Sequence, residues 1–593
     1  MTIVTHNVIS SPPTFFKYDG SLVKSKNSVT RLLLLSSLLG STGALVNASV
    51  RADTTVADDL LGNLYTMKSV YRAEYAPAAW KKKFAAYDLD VEFAKAAAAI
   101  QANPNMSMKE SRKILKDFIY SMKDYHTSIS FVSTESASLP FTVKSTGNKV
   151  FIVYIDRNKL SEATFPFHEG DELVSFDDKP ASQALSEVQA EIPENVPATD
   201  KAIAETRLTR RAAARGYNVP KGTITIGVKT KGTATEKHFQ LIWEYNAEQI
   251  GSRLKLASST VTKIANGSEQ TPPSAFHPLM NVDFANTQIT SPYDIGSKKT
   301  FTPILGTPIW QSAENDVFHA YMYKTADRKL IGYIRIASYV VPDYVKALAE
   351  FSTVVALFQA TTDAMVIDQV NNPGGSVFYL YGLASMLTEE PLKTPRHKMA
   401  INQGDVADAI AQIEKLKDVR SDEDAKKVLS PGDLDGYPAS FEFAQFFLNA
   451  SRFIVNEWNS GRKLSQPYWI AGVDHINPAP VHYTKPILLL INHLDFSGGD
   501  FFPAIMQDNH RVTIMGSRTA GAGGYVNDIK VQNNIGIDSF RCTESIAERI
   551  DGNPIENLGV KPELEYEFSE ADYTQNFAPY VQAIQATLNT MIK

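Results

Sequence analysis

Apolar residues along this chain follow three successive rhythms. Between about residues 53 and 125 the period is near four. Ile114, Phe118 and Met122 recur at that spacing, which stacks them on one side of an α-helix. The run Phe93-Ala94-Lys95-Ala96-Ala97-Ala98-Ala99-Ile100 is built on the strongest helix former. From residue 128 to about 245 the rhythm shortens. Val150 to Ile155 is a compact apolar run and Thr223 to Val228 alternates, so both predict strands. Beyond residue 329 the two patterns take turns. Leu330 to Ile336 predicts a strand, and Asp343 to Phe358 a helix with Val345, Leu348 and Val355 on one face. Ala364 to Asp368, Ile487 to Ile491 and Val512 to Met515 predict further buried strands. Strands alternating with helices predict an α/β sheet with ligands along its C-terminal edge. A helical insertion over about 387–472 interrupts it, with Val406, Ile410 and Ile413 marking its inner face. The insertion also carries Phe441, Phe443, Phe446, Phe447, Phe453 and Trp458, whose simplest reading is core.

Two regions break the pattern. Residues 256–306 are rich in Ser, Thr, Asn and Pro and hold no period; a loop this long is usually functional or disordered. At the start, Lys17, Lys24, Lys26 and Arg31 precede Leu32-Leu33-Leu34-Leu35-Ser36-Ser37-Leu38-Leu39, and small residues follow to Ala48. That order is a secretory signal, so residues 1–48 are expected to be removed on export. The apolar stretch is short for a membrane span, and no membrane insertion of the mature chain is expected.

The 593 residues suffice for three or four domains. A net charge of −6 argues against nucleic acid as the main partner. The single cysteine, Cys542, excludes an internal disulfide and a thiolate metal cluster. The eleven histidines show no zinc spacing, and no phosphate-cradling glycine loop is present. Neither a metal nor an organic cofactor is expected.

The chemistry concentrates near the C-terminus. After Pro486 to Ile491 comes Asp495-Phe496-Ser497-Gly498-Gly499-Asp500, a strand breaking into a turn and then a helix. Such a turn sets a hydroxyl beside free backbone N–H groups, as acyl transfer to serine requires. Ser497 could instead be a plain helix cap; the preceding buried strand and the flanking glycines favour a nucleophile. A serine needs a base, and eleven histidines compete, His126 and His493 among them.

These segments resemble the tail-specific (C-terminal processing) serine proteases of the crotonase-like fold. Asp368-Gln369-Val370-Asn371-Asn372-Pro373-Gly374-Gly375 is similar to that family's D-L-R-x-N-P-G-G strand end. Ser497-Gly498-Gly499-Asp500 resembles its nucleophile segment, and Arg518-Thr519-Ala520-Gly521-Ala522-Gly523 its T-F-G-K-G loop. Phe167 to Asp177 is similar to the PDZ signature these enzymes carry. The usual basic lysine is missing, because Ala522 stands in its place. A subset of the family takes a histidine from a D-x-H-T element instead, which Asp124-Tyr125-His126-Thr127 resembles. In one branch the orienting acid lies in an I-E-N-x-G-V-x-P segment, matched by Ile555-Glu556-Asn557-Leu558-Gly559-Val560-Lys561-Pro562. Glu544, Glu548 and Asp495 are the rival acids.

The resemblance implies a multidomain α/β protein. Residues 53–127 form a helical region carrying the histidine, 128–255 a PDZ-like β domain, and 256–325 a linker or inhibitory segment. Residues 326–593 form a crotonase-like catalytic domain. It implies a serine endopeptidase with Ser497 as nucleophile, His126 as base and Glu556 as acid. Backbone N–H groups of Gly498 and of Gly374 or Gly375 would form the oxyanion hole. It further implies secretion, protein or peptide substrates in a host, a zymogen opened by internal cleavage, and a homodimer. The alternatives are a periplasmic Ser/Lys processing protease, which needs a lysine at 522, and a peptide-binding scaffold with a dead site.

Overall fold

A computed structural model of the chain describes residues 55–592, apart from 193, 250–278, 282–288 and 431–433. The signal expected over 1–48 and most of the 256–306 stretch lie outside the described residues. Four helices open the structure: α1 (Val56–Glu74), α2 (Ala78–Ala85), α3 (Leu89–Ala102) and α4 (Met108–Tyr120). Their starts are set by side-chain caps. Thr55 and Asp58, and likewise Ser107 and Glu110, form reciprocal capping boxes, while Asp88 accepts from two first-turn N–H groups. Leu60, Leu64, Met67 and Tyr71 form the buried stripe of α1. It packs, with α3 and α4, on Ile537 and Phe540 of an antiparallel sheet. That sheet joins strand Ser128–Phe131 to Ile537–Thr543 and Val526–Ile529. The N-terminal helices thus share one core with the sheet formed by residues 526–543.

The PDZ-like part is an antiparallel sheet of Phe141–Thr146, Lys149–Ile155, Glu172–Phe176, Thr223–Lys229 and Glu236–Ile242, in that spatial order. Helices α5 (Ala181–Gln189) and α6 (Pro197–Leu208) cover it.

The largest sheet among the described residues has seven strands whose spatial order is their chain order: β1 (Pro308–Gln311), β2 (Ala320–Lys324), β3 (Leu330–Arg335), β4 (Ala364–Asp368), β5 (Ile487–Ile491), β6 (Thr513–Gly516) and β7 (Leu564–Glu565). The first two pairings are antiparallel and the rest parallel. Every residue of β4 and β5 is buried, as expected of parallel strands covered on both faces. Helices α7 (Tyr344–Thr361), α8 (Val377–Ser385) and α12 (Gly498–Asp508) belong to this layer. The insertion supplies α9 (Gln403–Leu416), α10 (Asp422–Val428) and α11 (Phe441–Asn459).

Several details differ from the sequence pattern. Val345 and Ile410 are about half exposed. The inner face of α7 runs through Leu348, Phe351, Val355 and Phe358, and that of α9 through Ala409 and Leu416. Both sit on the rim of an otherwise apolar helix, where periodicity alone does not rank neighbouring positions. Phe443 and Phe447 are core, whereas Phe441 and Trp458 face solvent. The stretch assigned to a linker also ends early, because β1 and β2 lie within 256–325 and Tyr293, Ile295 and Leu305 are buried. Among the described residues no helix is long and apolar enough to cross a membrane.

Candidate active site

Strand β5 runs into a turn at Ser497 and out into α12. Ser497 adopts φ +58° and ψ −114°, a region that costs a residue with a side chain ~1–3 kcal/mol. Two buried aspartates hold the turn. Asp500 accepts from the Ser497 N–H (2.8 Å), the Gly521 N–H (2.8 Å), the Ala522 N–H (2.9 Å) and the Thr519 hydroxyl (2.5 Å). It therefore ties the turn at Ser497 to the loop around Ala522. Asp495 accepts from the Asn372 N–H (2.9 Å) and the Asn492 N–H (2.9 Å), tying the same turn to the glycine loop after β4. Burial pushes Asp500 up to about 7 and Asp495 well above the usual carboxylate range.

The glycine loop lies against Ser497. A Cβ on Gly374 would sit 2.6 Å from the Gly498 nitrogen and 2.7 Å from Ser497 Cβ, and Gly374 holds φ +86°. A Cβ on Gly498 would fall 3.3 Å from the Gly375 nitrogen. Gly374 donates its own N–H to Asn372 Oδ1 (2.8 Å). Gly498 is the first residue of α12, where N–H groups have no intrahelical partner.

His126 follows α4 on a short buried loop. Asp124 shapes that loop by accepting from the His126 N–H (2.8 Å), the Tyr75 hydroxyl (2.9 Å) and the Thr543 hydroxyl (2.9 Å). Tyr125 donates to Asp200 of α6 (2.7 Å), so the PDZ-like part braces the loop. The rings of Tyr125 and Phe496, each immediately before a proposed catalytic residue, meet edge to face at 5.5 Å. His126 and Ser497 are both fully buried. Among the described residues neither imidazole nitrogen, nor Ser497 Oγ, has a hydrogen-bond partner. Burial, the largest influence, lowers His126 to about 4; Asp124 opposes this, while Arg541 and Lys81 add to it.

Glu556 is brought to the same place. Polar atoms of Asp124, His126 and Glu556 lie within 4.8 Å of one another. Glu556 Oε2 accepts from the Gly523 N–H (2.9 Å), and Oε1 pairs with the ammonium of Lys81. Burial and the nearby Asp124 push the Glu556 carboxyl up, and Lys81 pulls it back toward the anion. Glu556 is thereby paired with a cation, and Asp124 takes three donors. The rival acids are engaged elsewhere: Glu544 with Asn527, Glu548 with Lys398, and Asp495 in the turn.

Sequence reasoning missed Lys81. It stands in Lys81-Lys82-Lys83, which reads as a solvated helix face, and Lys82 and Lys83 are indeed exposed while Lys81 is not. Only packing separates them. Lys81 donates to Glu556, Asn557 Oδ1 (2.8 Å) and the Lys123 carbonyl (2.6 Å). All three ammonium protons are thereby used, so Lys81 does not stand in for the lysine missing at Ala522.

One further strand reaches the site. Leu279–Asn281 pairs antiparallel with Gly374–Ser376, with Met280 opposite Gly375 and Asn281 opposite Gly374. A piece of the long connecting stretch therefore lies along the glycine loop.

Residues 135–250 match the PDZ domain family and residues 330–566 match peptidase family S41. An uncharacterised protein of Chlamydia muridarum (strain MoPn / Nigg) is 32% identical over 597 residues, which cover 95% of this chain and 97% of that one. A Chlamydia pneumoniae protein is 32% identical over 598 residues, covering 95% and 93%. The crystal structure of mature CPAF superposes with a TM-score of 0.78 at 30% identity, over 90% of this chain and 98% of that one. Mature CPAF complexed with lactacystin gives 0.77 at 30%, over 90% and 99%. With a strand–turn–helix serine, a glycine loop against it and a PDZ domain bracing it, this chain belongs to peptidase family S41 and is a serine protease built on the CPAF plan.

Proposed function

We propose that this protein is a secreted endopeptidase that cleaves host proteins through Ser497, His126 and Glu556, and that it is made as a zymogen. His126 takes the proton of Ser497 as Oγ attacks the scissile carbonyl, and returns it to the leaving amine; water then hydrolyses the acyl-enzyme by the same route. Glu556 orients the imidazole and stabilises the imidazolium. The Gly375 and Gly498 N–H groups receive the developing oxyanion; a donor of this kind is worth ~2.7–4 kcal/mol. The observation that carries this reading is the convergence of His126 and Glu556, 430 positions apart in sequence, on one buried cluster beside the nucleophile turn. Two features support latency: the unmade bonds of His126 and Ser497, and the Leu279–Asn281 strand along the glycine loop. Export rests on the charged and apolar order of residues 17–48, and the homodimer on family resemblance.

The test compares fluorophosphonate labelling of Ser497 in the intact chain and in a chain nicked within 256–306. Nicking is expected to speed labelling at least tenfold, and Ser497→Ala, His126→Ala and Glu556→Ala to abolish turnover after matched processing. Equal labelling of intact and nicked chains would remove the zymogen, and an active His126→Ala would remove the histidine base. Secretion from a heterologous host by the first 48 residues, and light scattering of the processed enzyme, check export and dimer.

A further inference from the structure

We propose that Lys81 is a positioning residue for the protease: it holds Glu556 as an anion facing His126 and ties it to the loop that carries His126. The inference rests on the reading of Glu556 as the orienting acid. Glu556 is fully buried, and a carboxylate that loses its solvent needs a fixed cation or takes up a proton. Lys81 supplies that cation from α2, an element otherwise remote from the reaction. Its side chain is fully buried as well.

The geometry makes Lys81 a connector. One proton goes to Glu556, one to Asn557 Oδ1 and one to the carbonyl of Lys123, three residues before His126. Asn557 closes the ring by donating to the same Lys123 carbonyl (2.9 Å) and accepting from the Trp80 indole (2.9 Å). The acid segment, the base loop and α2 are thus joined through one ammonium. The titratable groups facing Glu556 are Lys81 from α2, Tyr75 after α1, and Asp124 and His126 from the loop after α4. Lys81 is the cation in direct contact with Glu556 among the described residues. Without it, Asp124 would repel the Glu556 charge and burial would favour the neutral acid. A neutral Glu556 does not stabilise an imidazolium.

The experiment is a double-mutant cycle of wild type, Lys81→Met, Glu556→Gln and the combined variant, in the full chain after matched processing. Lys81→Met is expected to lower kcat at neutral pH at least a hundredfold. Its acidic limb in kcat/KM should move up by a unit or more, with recovery toward pH 9 as Glu556 ionises. In the Glu556→Gln background, the same change is expected to alter kcat less than twofold, since Lys81 acts through the carboxylate. A folded Lys81→Met whose limb coincides with wild type, or equal losses in the two backgrounds, overturns the inference. Should Lys81→Met fail to fold, Glu556→Gln against the double variant still decides. A matching kcat, with an unfolding midpoint no lower than that of Glu556→Gln, supports the inference, because removing both members of a buried pair spares the lone charge; a further tenfold loss or unfolding overturns it. Full activity in Glu556→Gln alone would instead refute the acid assignment on which the inference stands.

Discussion

His126 makes the burial of the site measurable as a pH-dependent stability. Its folded-state value lies near 4 against 6.5 for a free imidazole. The folded form therefore resists protonation while the unfolded chain accepts it, and stability falls as pH drops below 6.5. A shift of this size is worth about 3 kcal/mol once pH reaches 4, and about 2 kcal/mol of it is already lost at pH 5. Asp500 and Glu556 are shifted upward, so they act in the opposite sense, and a single pH scan of wild type mixes these effects. Comparison with His126→Ala isolates the histidine, because the cavity left by the substitution is present at every pH. The assay is urea unfolding at pH 8 and pH 5 in a Ser497→Ala background, which cannot digest itself. Wild-type His126 is expected to lose about 2 kcal/mol more than His126→Ala between the two conditions. Equal losses would show that His126 is solvated or already paired with an acid, and would refute the picture of an unpartnered buried imidazole.

Other outcomes follow from the same contacts. Gly374→Ala forces a methyl within 2.6 Å of the Gly498 nitrogen at φ +86°, and turnover should fall at least a hundredfold while the PDZ-like part still folds, as read by kcat and limited proteolysis. Asp500→Asn keeps the shape but not the charge that holds four donors; a loss of about 1–3 kcal/mol in stability is expected, with slower fluorophosphonate labelling. Met280→Pro should weaken the strand pairing opposite Gly375 and speed labelling of the uncut chain; an unchanged rate would argue against inhibition by that strand. Ala522→Lys should not rescue His126→Ala, because position 522 is fully packed and its N–H already serves Asp500.

Much of this protein was written locally. The four-residue period gave the N-terminal helices, and the unbroken apolar runs gave β4 and β5, since burial on both faces leaves no room for a polar residue. The turn serine and its flanking glycines were likewise legible, because a strand-to-helix turn needs small residues there, whereas His126 and Glu556 were pointed to only by resemblance to family motifs. Tertiary structure decided what is set by neighbours distant in sequence. Which of three consecutive lysines is buried, and that a strand from 279–281 meets Gly374–Ser376, both depend on packing partners far along the chain. A side chain's period records which face it occupies, whereas its charge state and hydrogen bonds depend on what the rest of the fold lays against that face.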